Sequence, residues 1–97
     1  MLSRVIQSFA CKDTEALFRG TRCHSRFRFL RNVAVRKLER LDNAVDLRDL
    51  RVPPQNKLEA LKRDRIGQYS IRVNAQYRIC FVWTVKGPAK VEIVDYH

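Results

Sequence analysis

The apolar pattern changes period at Val52-Pro53-Pro54, and this change limits the fold more than any other feature of the chain. Before the prolines the spacing is helical. From about Phe29 to Ala44, the residues Leu30, Val33, Ala34, Leu38 and Leu41 fall on one stripe of a helix. Ahead of it Asp13 reads as an N-cap, TEALFR as a short helix and Gly20 as its stop. DLRDL at 46–50 suits a single helical turn, which the prolines end because they break helix and restrict the residue before them. After the prolines the pattern is that of strands. Lys57 to Leu61 is a short candidate, followed by the charged loop KRDRIG at 62–67. Tyr69 to Val73 alternates Tyr69, Ile71 and Val73 against Ser70 and Arg72. Asn74-Ala75-Gln76 is a turn, Tyr77 to Val85 the most apolar strand, Gly87-Pro88 the next turn and Val91 to Tyr96 the last strand. VIQSF at 5–9 is a candidate first strand. Helices followed by turn-linked strands predict an α+β fold, one domain over residues 1–97, with N-terminal helices packed on a mostly antiparallel sheet of roughly four to five strands.

Charge narrows the class of partner. Lys plus Arg number 20 against 10 Asp plus Glu, a net charge of +10 with a pI near 10.3. So large an excess on a short chain calls for a polyanion. Arg outnumbers Lys by more than two to one, and its planar fork suits phosphate. The densest block runs from Arg19 to Arg40 and contains Glu39 as its one acid. No apolar run approaches the ~20 residues of a spanning helix, and the first residues do not read as a secretory signal, so a cytoplasmic protein without a membrane partner is expected. Cys11, Cys23 and Cys80 show no CxxC spacing, and Cys80 reads as a buried thiol. Cys23 and His24 are adjacent and cannot easily face one ion, so neither a metal nor another cofactor is expected.

Phosphate-loop, dinucleotide and HExxH signatures are missing, and two His leave little for a hydrolase triad. Cleaving RNA needs no protein nucleophile, because the 2′-OH attacks the adjacent phosphorus. The protein must move two protons and stabilise the added charge. Arg78, at the start of an apolar strand, is the first candidate; the alternative is an ion pair with Asp95 or Glu92. Asp95-Tyr96-His97 is the second, with His97 able to exchange a proton near neutral pH. Lys62-Arg63-Asp64-Arg65 is the third, either a phosphate-binding loop or a solvated one. Tyr69 or Tyr77 either stacks on a base or belongs to the core.

SFACKDTEALF, LRDLRVPP, NKLEALKRDRIGQYSIRVN, QYRICFVW and the closing VEIVDYH together make the chain resemble the HigB toxins of the RelE superfamily over nearly its whole length. The resemblance implies a microbial-ribonuclease-like α+β fold and a ribosome-dependent, metal-independent mRNA endonuclease. It implies a HigA-type helix-turn-helix antitoxin as partner, the complex and not the toxin alone meeting operator DNA. Carried to this sequence, Arg78 is the phosphate-binding Arg, Asp95 and His97 the terminal catalytic pair with Tyr96 between them, and Lys62 the loop cation. Arg63, Arg65, Arg72, Lys57 and Tyr77 would line the RNA, and Arg31, Arg36, Lys37 and Arg40 would face the antitoxin. Three positions depart from the pattern. Glu59 stands where some relatives have a catalytic His, Arg63 replaces a common Gly, and Gln55 follows the prolines where Gly is frequent. Residues 1–4 read as an extension ahead of the first strand. Two other readings are a non-catalytic basic module for RNA or ribosome, and a toxin inactivated by these departures that serves a repressor.

Overall fold

The computed structural model describes residues 5–96. The expected extension at 1–4 and the candidate His97 lie outside the described residues. The α+β expectation holds: two α-helices pack on an antiparallel four-stranded sheet whose spatial order is its sequence order.

Helix α1 spans Lys12–Arg19 and ends at Gly20, whose φ of 75° is the left-handed turn a glycine makes without steric cost. Its N-cap is Cys11, not Asp13 as the sequence suggested. Asp13 lies inside the first turn, where an anion suits the helix dipole, and its carboxylate pairs with Arg26 at 3.0 Å. A 3₁₀ turn at Ser25–Leu30 follows, capped by His24, whose Nδ1 accepts from the Arg26 N–H at 3.1 Å. Helix α2 spans Arg31–Asn43 and buries Ala34, Leu38 and Leu41. The helical stripe read from Phe29 is therefore a tight turn leading into an α-helix. Phe27 and Leu30, one 3₁₀ turn apart, are both buried, so the turn feeds the same core as α2. A further 3₁₀ turn covers Leu47–Arg51, with Asp46 and Asp49 forming a capping box.

The strands are β1 Glu59–Ala60, β2 Tyr69–Arg72, β3 Tyr77–Thr84 and β4 Gly87–Asp95. Strand β4 begins earlier than the sequence suggested, because Val85-Lys86 makes the turn. Gly87 opens the strand with φ 130°, and a Cβ there would stand 2.4 Å from the Val5 carbonyl oxygen. The expected first strand is also corrected. Residues 5–10 run along the edge of β4 with one parallel bridge, Phe9 to Val91. The segment is tied by Gln7 N–H to Pro88 O at 2.7 Å, Val91 N–H to Ser8 O at 3.1 Å and Ala10 N–H to Val91 O at 2.9 Å. It is an edge strap, not a fifth strand.

Register sorts the sheet into two faces, since directly opposed residues share a side. Ile71, Ile79 and Ile93 align across β2, β3 and β4 and pack with Leu17, Phe27, Leu38 and Leu41 in the core. The second face carries Glu59, Ser70, Cys80 and Glu92 in one row, and Arg72, Arg78 and Val94 in the next. Polar groups therefore gather on the side away from the helices. Among the described residues no helix is long and apolar enough to cross a membrane.

Candidate active site on the second sheet face

Arg78 is the centre of this face. Strand alternation in YRICFVW turns Ile79 and Phe81 to the core and Arg78 away from it. Only 8% of Arg78 is exposed, and a charge buried to this degree needs partners. Its Nε donates to the Ser70 hydroxyl at 2.7 Å and its Nη2 to the Lys57 carbonyl at 2.6 Å. The Glu59 carboxylate lies 3.7 Å from Nη2, and the Tyr96 ring centroid 5.3 Å from the guanidinium carbon. The Tyr96 hydroxyl reaches Glu59 Oε1 at 3.5 Å. Nη1 has no partner among the described residues. The guanidinium is thus fixed in orientation by protein groups, as a preorganised phosphate clamp requires.

A second cation closes the row. Arg65 donates to Glu92 at 2.9 Å and to Gln68 Oε1 at 3.1 Å. The hydrogen bond it donates to Glu92 raises the Arg65 pKa above its ordinary value. Cys80 lies fully buried in the same row, and its burial pushes the thiol pKa up while Arg65 draws it down. Glu92 is therefore bound to Arg65, and the alternative pair it offered Arg78 is replaced by Glu59 on β1.

The other expected residues divide. Arg72 stands directly across from Arg78 on the same face, its Nε donating to the Asn74 carbonyl at 3.1 Å. Lys62 and Arg63 are exposed in the loop, beside a 3₁₀ turn at Arg63–Arg65. Arg63 has φ 56°, so the loop keeps the left-handed backbone that favours Gly although Arg occupies it. Lys57 has φ 46°, and its carbonyl holds Arg78 while its side chain is exposed. Tyr77 and Asp95 are not brought to Arg78. They oppose one another across β3 and β4 on the helix-facing side. Tyr77 packs edge-on against Phe27 at 6.3 Å, and Asp95 accepts from Gln76 Nε2 at 2.9 Å. Tyr96 falls on the Arg78 side and Asp95 on the other, so the terminal motif straddles the strand.

The basic face of α2 is also divided. Arg31 and Arg36 are exposed. Lys37 donates to Asn56 Oδ1, and Arg40 donates to the Val52 carbonyl through Nε at 2.9 Å. Fully buried Asn56 donates in turn to the Leu50 carbonyl at 3.1 Å and the Val52 carbonyl at 3.2 Å. Lys37 and Arg40 thus fasten the loop that ends in Lys57, the residue holding Arg78. Desolvation, with Arg40 and Arg36 nearby, lowers the Lys37 pKa.

Ser70, the Lys57 carbonyl and the contact between Glu59 and Arg78 were not singled out from the sequence. The one available signal was Ser70 on the polar side of the β2 alternation; its register against β3 is a property of the folded sheet.

Residues 7–97 match the family described as the RelE-like toxin of type II toxin-antitoxin system HigB. The chain is 47% identical over 68 residues to Toxin HigB-1 of Vibrio cholerae serotype O1, covering 70% of each protein. It is 44% identical over 52 residues to an uncharacterized protein of Haemophilus influenzae, covering 54% of this chain and 52% of that one.

Proposed function

The chain belongs to the HigB-like, RelE-like toxins of type II toxin–antitoxin systems, and from that membership we propose that it is a ribosome-dependent mRNA endonuclease held in check by a HigA-type antitoxin. The observation that carries this reading is Arg78, buried and held in orientation on the polar face of the sheet, with Nη1 unbonded by any described residue. In the reaction the RNA 2′-oxygen attacks phosphorus, the 2′ proton leaves and the 5′ oxygen takes a proton as its bond breaks. Arg78 holds the non-bridging oxygens and stabilises the charge added at phosphorus. Arg72 beside it, and Lys62, Arg63 and Arg65 of the loop, draw the flanking phosphates. His97 is the proton-exchanging group of this reading, and Asp95, on the other strand face from Arg78, takes no step in it. Glu59 is a carboxylate next to the clamp and is the second group able to take one. The Tyr96 ring lies against the guanidinium and closes that side of the clamp.

Membership of a type II family implies an antitoxin partner. The exposed cations Arg31 and Arg36 of α2 offer an acidic antitoxin segment its contact, while Lys37 and Arg40 stay with the loop. Operator DNA is met by the antitoxin in the complex.

The test uses purified ribosomes programmed with a defined message, read by primer extension. Wild-type protein is expected to cut the message on the ribosome and leave it intact without ribosomes. Arg78→Ala and His97→Ala are expected to lose the cut. Equal cutting by folded Arg78→Ala would overturn the site, and no cutting by wild type would favour a non-catalytic ribosome-binding module.

A further inference from the structure

One surface is not used by the clamp. The 3₁₀ turn at Ser25–Leu30 sends Phe27 and Leu30 into the core, and its geometry leaves Phe29 pointing outward, 96% exposed. An aromatic this exposed buries almost no area in the core. Its neighbourhood is cationic: the segment from 16 to 38 contains no acid. Arg26 is paired with Asp13 and Arg19 with Glu15, but Arg22, Arg28 and Arg31 form no ion pair with any described residue. The Arg28 guanidinium carbon lies 6.0 Å from the centre of the Phe29 ring. The turn lies on the helix side of the sheet, near the end of it that carries Tyr77 and Asp95. Phe27 beneath it touches Tyr77, which precedes Arg78 in β3 and faces Asp95 at the sheet end where Tyr96 emerges.

We propose that Phe29, with Arg28 and Arg31, is a second RNA contact, on the helix side, for single strand that passes round the sheet end beyond the phosphate held by Arg78. A base stacks on the open ring, and the flanking phosphates lie on the two guanidinium groups. An exposed aromatic among unpaired arginines is the combination single-stranded nucleic acid selects, because every base offers a π-face and every linkage a charge. An acidic protein segment would satisfy the arginines and has less use for a bare, fully solvated ring. A toxin held by its antitoxin through Arg31 would have this surface closed as well. The inference rests on the RNA-directed reading of the site and extends its footprint.

The test is fluorescence anisotropy with labelled single-stranded RNA of two lengths, about four and about twelve nucleotides, on purified full-length protein. Phe29→Ala is expected to weaken the longer RNA about tenfold, the loss of one base stack, and to leave the shorter one unchanged. Phe29→Trp is expected to restore binding. Arg28→Ala with Arg31→Ala is expected to flatten the dependence of log affinity on log salt by about 1.4, two phosphates on a single strand. The near-complete exposure of Phe29 means its variants should melt with the wild type, which serves as the folding control. Unchanged binding of the longer RNA by Phe29→Ala would overturn the proposal. So would a loss confined to antitoxin binding, which would make the surface protein-facing. Length-dependent loss in Phe29→Ala, together with an uncut message on the ribosome, would leave this inference standing and overturn the endonuclease.

Discussion

Asn56→Ala removes the link between α2 and the loop that supports Arg78. Asn56 is fully buried and makes three contacts: it accepts from Lys37 and donates to the Leu50 and Val52 carbonyls. A buried hydrogen bond contributes ~0.5–1.5 kcal/mol, and a partner left unsatisfied costs ~1–3 kcal/mol. The Val52 carbonyl keeps its bonds from Arg40, so the main losses fall on the Leu50 carbonyl and on Lys37. The expected destabilisation is about 2–4 kcal/mol. For a domain of this size each 1 kcal/mol moves Tm by roughly 4–8 °C, so Tm should fall by about 8–32 °C. Asn56→Asp should not rescue it, since a carboxylate accepts from Lys37 and cannot donate to the two carbonyls. The assay is thermal unfolding by circular dichroism with urea titration alongside, followed by ribosome-dependent cutting well below the variant's Tm. Cutting should be reduced there too, because Lys57 is next in the chain and its carbonyl orients Arg78. A Tm within about 2 °C of wild type for Asn56→Ala, or a fully stable Asn56→Asp, would refute the reasoning.

Three further outcomes are expected. Ser70→Ala frees the Nε of Arg78 and should lower cutting about tenfold, with Ser70→Thr less affected, measured as single-turnover rates on ribosome complexes. Arg63→Gly relieves a residue at φ 56° and should stabilise the fold by about 0.5–1 kcal/mol in a urea titration. Cys80 keeps its proton in the folded chain above its ordinary pKa of 9.0 while the unfolded chain loses it there. Its contribution is therefore fully present below that value and is lost as pH rises towards the raised one. Stability should fall over that window, Cys80→Ala should remove part of the slope, and alkylating reagents should reach Cys11 and Cys23 well before Cys80.

The helical stripe from Leu30 to Leu41 and the stop at Gly20 were legible because spacing and backbone chemistry are local. The parity of β3 was legible for the same reason, and it placed Arg78 off the core side. What spacing does not contain is the alignment of one strand against another. That alignment puts Ser70 and Glu59 beside Arg78, and Asp95 opposite Tyr77 on the other face. The N-terminal segment misled because an extended run along a sheet edge has the composition of a strand without its ladder. Gly87 reads as a turn residue by type, yet it is required inside β4 by the close approach of Val5. The role of Asn56 could not be read, since a polar residue after two prolines gives no sign that it will be buried.

Whether Arg78 clamps a scissile phosphate of translated mRNA is decided by mapping mRNA 5′ ends in cells after brief induction without antitoxin. New ends inside translated frames are expected, absent with Arg78→Ala and lost when translation is blocked. Growth arrest without new ends, or the same ends with Arg78→Ala, would contradict the clamp.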